Sequence, residues 1–359
     1  SYKANLDATW EIDLFGGQRR SAQAAEADLQ AAQEDVNAVM VSLCAEVALN
    51  YIELRTTQAR LAAAQANIAI QEQTCNLEQA RHAAGLSDAL AVQQALSNLE
   101  TTRAQIPTLN ASLDTAMNAL TVLLGRMPGT MKHALAVPLP IPEVPSGLIV
   151  GVPADAVRNR PDVRKAEREL AAQTARVGVA TAELYPKLTL MGSLGTMALS
   201  SGDLFTAGSR FFSYGPTLSL PLFKGGSLRA AVEVQSALQE QALCRYEASV
   251  LTAVQEAENA LSAYIKEQSR RETLTKAVQS AQEAQALAQV KYVAGLTSFD
   301  TVLNAQKTLT SLQDSLAQST GDVAGNLVRL YKALGGGWTP QALTDKDRNP
   351  SRGVKDEQD

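Results

Sequence analysis

The chain has 359 residues, 45% hydrophobic but only 4% aromatic, and its 32 basic and 37 acidic side chains leave a formal charge of −5. Such a composition is neither disordered nor collagen-like, and mild acidity without a basic run argues against a nucleic-acid partner. The longest stretch free of Asp, Glu, Lys and Arg, 188–202, falls short of the roughly 18 apolar residues of a membrane helix, which on that criterion excludes a helical membrane protein and leaves a spanning β-sheet open.

The first element, within 1–15, reads as a strand. Leu6, Ala8, Trp10, Ile12 and Leu14 alternate with Asn5, Asp7, Thr9, Glu11 and Asp13, which puts an apolar row on one face and a polar, acidic row on the other. From Gln18 to Ala84 neither proline nor glycine occurs, and Val36, Met40, Leu43, Val47, Tyr51 and Leu54 form one helical stripe. About 67 residues at 1.5 Å each make a rod of roughly 100 Å. Gly85 reads as a tight turn, after which Leu109, Leu113, Met117, Leu120 and Leu124 resume the stripe. The span 18–125 is therefore an antiparallel helical hairpin, kinked in its returning arm by Pro107.

The proline-rich 126–158 reads as an extended connector, and 159–185 as a helix with Asn159 as N-cap and Pro161 in its first turn. Within 187–223, Leu188, Leu190 and Leu194 alternate with Thr189, Met191 and Ser193, and Phe212, Tyr214, Leu218, Leu220 and Leu222 with Ser213, Gly215, Thr217 and Ser219. Each run approaches the ~10 residues of a tilted membrane strand, though a half-buried soluble sheet shows the same alternation. A second long helical hairpin with Gly295 at its turn fills 226–335, and the polar 336–359 reads as a disordered tail.

The two halves share their punctuation. Leu14-Phe15-Gly16-Gly17 returns as Leu222-Phe223-Lys224-Gly225-Gly226, Gly85-Leu86-Ser87 as Gly295-Leu296-Thr297, and Leu124-Gly125 as Leu334-Gly335. Gly85 follows Gly17 by 68 residues and Gly295 follows Gly226 by 69, so one structural unit is used twice. In the second unit Gly226 follows Arg160 by 66 residues, where the first has only 16 before Gly17. The repeat logic therefore expects about fifty further residues, an opening helix and a strand, ahead of Ser1. Any signal peptide or lipid-carrying cysteine belongs there.

Little in the chain suggests chemistry. Cys44, Cys75 and Cys244 form no CxxC pair, and the two histidines, His82 and His133, stand 51 residues apart. Gly16-Gly17-Gln18-Arg19-Arg20-Ser21 lacks the first glycine and the lysine of a phosphate loop. The period-two spacing of Asp7, Glu11 and Asp13 suits a solvated strand face better than a metal cluster. No catalytic residue, metal or cofactor is expected.

Several motifs are familiar. Asn159-Arg160-Pro161-Asp162-Val163, Ala166-Glu167-Arg168 and Ala180-Thr181-Ala182-Glu183-Leu184-Tyr185-Pro186 resemble the second-repeat signature of the outer-membrane factor family, the TolC/OprM-like and NodT-type channels of bacterial efflux. The closing Leu330-Tyr331-Lys332-Ala333-Leu334-Gly335-Gly336-Gly337-Trp338 resembles the end of the OprM-like branch. The resemblance implies a mainly α protein with membrane β: a homotrimer whose long hairpins form an α-barrel in the periplasm and whose strands form one barrel in outer-membrane lipid. Asp7, Glu11 and Asp13 would then line the lumen, and closure among subunits would satisfy strand edges that one chain leaves open.

The same resemblance makes Ala84, Gly85, Leu86 and Ser87, with Ala294, Gly295, Leu296 and Thr297, the tips that meet a periplasmic adaptor. From spacing alone each glycine reads as a helix stop. Tyr292 matches the family's gate tyrosine. The family's acidic gate positions are occupied by Thr301 and Asn304, with Ala91 in the first repeat, and Asp88 and Asp300 are the nearest acids, shifted in helical phase. The expected function is a passive exit duct, docked on an adaptor and an inner-membrane resistance-nodulation-division pump. A duct for type I secretion or ABC-type efflux is the rival within the family. A soluble coiled-coil scaffold is the rival outside it, and leaves the strands unexplained.

Overall fold

The computed structural model describes residues 1–144 and 154–336; the middle of the connector and, but for Gly336, the tail expected over 336–359, Trp338 included, lie outside the described residues. The described chain divides by contact density into two compact units, 1–38 with 158–253 and 39–157 with 254–336.

The first unit holds an antiparallel sheet of order β1-β2-β3, with β1 Tyr2–Ile12, β2 Lys187–Ala198 and β3 Arg210–Ser219. Registers pair Leu6 with Leu194 and Leu194 with Phe212, and Asp7 with Ser193 and Ser193 with Ser213. One face is thereby apolar across all three strands and the other polar, because side chains alternate with period two. The apolar face is bare: Leu6, Trp10, Leu194, Phe212, Tyr214 and Leu218 are all exposed. Leu14, Leu220 and Leu222, assigned by alternation to the strands, lie past the strand ends.

After β1 the chain turns into α1, Gly17–Ala83. Asp13 sits at that corner rather than on the strand, and its carboxylate accepts the N–H groups of Gln18 (3.2 Å) and Arg19 (2.9 Å). It satisfies donors that a helix start leaves unpaired, so the expectation of a lumen-facing strand residue is corrected for Asp13. The other early helix, Pro161–Ala182, has Arg160 and not Asn159 at its N-cap. A residue before proline is driven into extended backbone, the conformation a cap requires, and Arg160 takes it at φ −62°, ψ 133°. Its guanidinium grips Asp162 at 2.7 Å. This helix runs antiparallel to α1, joined by Arg164–Glu34, Lys165–Asp35 and Arg176–Asp28. Gly178 gives the Arg20 stem its room.

The hairpins begin in the first unit, with the opening turns of their long helices, and the greater part of each lies in the second. In the first hairpin, α1 returns through α2 (Ala89–Arg103) and α3 (Gln105–Leu123); in the second hairpin, α7 (Ser227–Val293) returns through α8 (Phe299–Ala333). These labels count two five-residue helices, α4 (Lys132–Ala136) and α5 (Ala154–Arg158), and make Pro161–Ala182 α6. The break between α2 and α3 falls at Ala104, three residues before Pro107. Proline removes the donor that would bond the Arg103 carbonyl and crowds it, so the helix parts there, while α8 continues unbroken.

Helix α1 packs along α8 through polar pairs at several levels. Arg60 binds Asp314 at 2.7 Å, Asn67 binds Gln313 at 2.9 Å, and Gln306 binds Thr74 at 2.9 Å. Leu54 of α1 packs instead on the returning arm of its own hairpin and on the connector, with Ala116, Met117, Leu120 and Leu135. The connector expected to be extended contains α4, because Leu135 is drawn into that cluster while Gln58 and Arg55 catch the carbonyls of Leu135 (3.0 Å) and Val137 (2.7 Å). Val36, Met40 and Leu43, the start of the α1 stripe, stay exposed. One 18-residue window of α1 also passes for a membrane span by length and composition, because a window holding one or two charges can still be apolar on average.

Candidate functional site at the hairpin tips

Both long helices end in the same hydrogen-bonded motif. Leu86 N–H reaches Arg81 O at 2.8 Å and Gly85 N–H reaches His82 O at 2.9 Å; Leu296 N–H reaches Lys291 O and Gly295 N–H reaches Tyr292 O, both at 2.9 Å. Gly85 (φ 74°) and Gly295 (φ 73°) hold the left-handed conformation this closure needs, which side-chain-bearing residues resist. The next residue projects outward: Leu86 is 70% and Leu296 77% exposed. Ala84, Gly85, Ala294 and Gly295 are exposed as well, while Ser87 and Thr297 are half-buried.

The returning helices start differently. Asp88 caps α2, its Oδ1 accepting Ala91 N–H at 2.8 Å. Ser298 occupies the cap of α8, and Thr297 and Thr301 join their hydroxyls at 2.9 Å.

Behind the turns the two tips share one core of Cys75, Ala91, Ala95, Ala288, Tyr292, Phe299, Val302 and Leu303. Tyr292 is only 7% exposed, tilts against Phe299 at 5.6 Å between ring centres, and carries the Arg81 guanidinium 4.7 Å above its ring. Its hydroxyl donates to Glu78 Oε2 at 2.7 Å, and Ser87 Oγ donates to the same oxygen at 2.9 Å. Glu78 is fully buried. Burial pushes the Tyr292 phenol above its usual range and the Glu78 carboxylate pushes it further, against a smaller opposing pull from Arg81.

Tyr292, read from the sequence as a gate residue, thus lies inside the tip core and ties the second hairpin to the first. Asp300, Thr301 and Asn304 are all exposed on the first turns of α8, opposite buried Phe299, Val302 and Leu303. At about 100° per residue Asn304 falls between the other two, so helical phase does not part Asp300 from it. Ala91 is buried. On the sheet, Asp7 and Glu11 share the polar face, where Asn5 donates to Asp7 at 2.6 Å.

Glu78 and Arg81 were not legible as tip residues. Glu78 meets a partner 214 positions away, and its counterpart in the second repeat is Ala288, so the repeat offers no signal for it.

The family profile described as outer membrane efflux protein matches residues 1–126 and 152–336. Nodulation protein T of Rhizobium leguminosarum bv. trifolii is 34% identical over 337 residues, 94% of this chain and 72% of that protein. The toluene efflux pump outer membrane protein TtgF of Pseudomonas putida is 32% identical over 94% of this chain and 70% of its own length. The solved structure of the outer-membrane channel OprN superposes with a TM-score of 0.89 at 37% identity, over 94% of this chain and 75% of that one. A duplicated pair of long helical hairpins, a sheet with a bare apolar face and these likenesses agree: the chain belongs to the outer membrane efflux protein family, bacterial outer-membrane channels with a helical tube in the periplasm, and not enzymes.

Proposed function

We propose that the chain is the passive exit duct of a tripartite efflux system. Three copies close one lipid-embedded barrel and one helical tube, and the tips at 84–87 and 294–297 dock on a periplasmic adaptor beneath which an inner-membrane pump of the resistance-nodulation-division type supplies the energy. The observation that carries this reading is the doubled tip, two exposed Gly-Leu turns on rigid helix ends over one shared core. Loops held by a rigid scaffold are where partner contacts concentrate. The apolar sheet face and the bare Val36, Met40 and Leu43 stripe are surfaces that lipid and neighbouring copies would cover. Cargo is left to the pump: relatives of near-equal identity are named for nodulation and for toluene efflux.

Gly295→Val tests the docking. No atom lies within 4 Å of a Cβ at Gly295, so the side chain itself fits, and its left-handed backbone costs about 1–2 kcal/mol. The variant should reach the outer membrane as trimers, lose crosslinking to the adaptor, and fail to restore drug resistance in a duct-deficient strain. Wild-type transport with the substitution in place would reduce the tips to turns.

A further inference from the structure

We propose that the entrance opens along the seams between copies, while the two hairpins of each chain travel together near their tips as one body. This rests on the trimeric tube proposed above. Within one chain the hairpins are tied at successive levels. From the tips inward, Glu78 accepts the Tyr292 hydroxyl at 2.7 Å, Thr74 accepts an N–H of Gln306 at 2.9 Å, Asn67 donates to Gln313 at 2.9 Å, and Arg60 binds Asp314 at 2.7 Å and Gln318 at 3.0 Å. Beyond these, Gly321 lets α8 lie against Thr56 of α1. Thr56, Asn67, Thr74, Glu78, Tyr292 and Gln306 are all buried, where a hydrogen bond is least readily replaced by water.

A ring of duplicated chains has two kinds of seam, one within each chain and one between neighbours. By the duplication, α7 stands to α2 and α3 of the next copy as α1 stands to α8. Gly295 follows Gly85, and Gly335 follows Gly125, by the same 210 residues, which fixes the counterpart of every tie. Glu78 with Tyr292 becomes Ala288 with His82, Thr74 with Gln306 becomes Ala284 with Leu96, and Asn67 with Gln313 becomes Ala277 with Arg103. Arg60 with Asp314 and Gln318 becomes Arg270 with Ala104 and Thr108, and Thr56 with Gly321 becomes Lys266 with Ala111.

Of these counterparts, Arg270 with Thr108 alone keeps a donor facing an acceptor, and none keeps an ion pair. The two arginines already have partners in their own chain: Arg270 binds Glu267 at 2.9 Å, and Arg103 binds Glu72 at 2.6 Å and Glu100 at 2.7 Å. The seam between copies is therefore lined by alanine, leucine and satisfied cations where the seam within a chain is bonded level by level. Of two seams alike in backbone and unlike in bonding, the one with fewer hydrogen bonds to break parts first.

Linking each seam in turn tests this in a duct-deficient strain that carries the full chain with Cys44→Ser and Cys244→Ser, Cys75 being buried. Asn67→Cys with Gln313→Cys lets a short, reducible bis-maleimide span the seam within a chain, and the counterpart pair Ala277→Cys with Arg103→Cys lets it span the seam between copies. The first link should leave dye efflux unchanged. The second should give linked dimers and trimers on denaturing gels and abolish efflux until reductant cuts the linker. A tie added without a linker gives an independent readout: Ala277→Glu, opposite Arg103 of the next copy, should lower efflux, and Arg103→Ala in the same chain should restore it. Efflux that survives the link between copies, efflux that stops with the link within a chain, or Ala277→Glu without effect would each overturn the proposal. Failure of the second pair to link any chains would instead overturn the trimeric tube on which the proposal rests.

Discussion

Glu78 shows how much one side chain decides at the tips. It is fully enclosed, and Oε2 depends on the hydroxyls of Tyr292 and Ser87. Tyr292→Phe keeps the ring on Phe299 but removes one donor from a buried carboxylate, a change that costs about 1–3 kcal/mol. Amide hydrogen exchange should accelerate at 78–91 and 288–303 and stay unchanged in the sheet. The raised phenol adds a pH signature. Because the folded state holds the Tyr292 proton more tightly, its contribution is complete below the ordinary phenol pKa and is lost as pH rises from there through the raised folded value. Tyr292→Phe should abolish that alkaline loss at the tips, and an identical pH profile in the variant would show that the Tyr292 proton is not the cause. Legibility fails at this scale for a simple reason: Tyr292 and Gly295 stand out in the sequence, whereas Glu78 looks like any glutamate on a helix until the other hairpin is placed against it.

Among the elements, helix contacts in the second unit are made close by small residues. Gly321 in α8 faces Thr56 in α1, and a Cβ there would stand 2.0 Å from Thr56 Oγ1. Alanine is the better helix former by roughly 1 kcal/mol, but Thr56 is 1% exposed and bonded to Ile52 O at 2.8 Å, so it has nowhere to go. Overpacking wins: Gly321→Ala should destabilise by about 1–3 kcal/mol in denaturant titration, and Thr56→Ala in the same chain should recover much of it. The sheet makes a second expectation. Leu194 stands on the bare apolar face between Leu6 and Phe212, and Ser193 on the polar face between Asp7 and Ser213. A cation facing lipid near the midplane costs about 2–4 kcal/mol, so Leu194→Lys should deplete the assembled, heat-resistant form on gels while Ser193→Lys, beside Asp7, is tolerated. Equal damage from both would mean that the faces are assigned the wrong way round.

For the whole molecule the open matter is the entrance. Asp300, Thr301 and Asn304 share the exposed side of α8, with one carboxylate among them. In a threefold channel a weak ring of charge should draw cations weakly, because the field at a constriction scales with the charge lining it. Block by multivalent cations in planar-bilayer recordings should therefore be weak, and should grow with Asn304→Asp, which sets a second carboxylate one turn from Asp300. Strong block of the unaltered trimer, abolished by Asp300→Ala, would show that Asp300 alone suffices and that neutral Thr301 and Asn304 do not set the gate.

What the sequence by itself determined is whatever rests on local periodicity and covalent spacing. Alternation in Leu6 to Ile12 and in Leu188 to Leu194 defined the two sheet faces, the glycine-free run from Gln18 defined a helix that extends to Ala83, and matched spacings from Gly17 and Gly226 to Gly85 and Gly295 revealed the duplicated hairpin. Pro107 likewise announced its break, since a missing donor acts within one turn. Only the tertiary structure decided which residues serve an element they do not belong to. Asp13 left its strand to satisfy the start of α1, Leu135 pulled a helical turn out of a connector that looked extended, and Tyr292 joined the shared tip core and tied the second hairpin to the first. Each of those choices was made by an unpaired donor, an apolar surface or a buried carboxylate on another element. Periodicity reports the side a residue faces, and the partner waiting there is set by the fold.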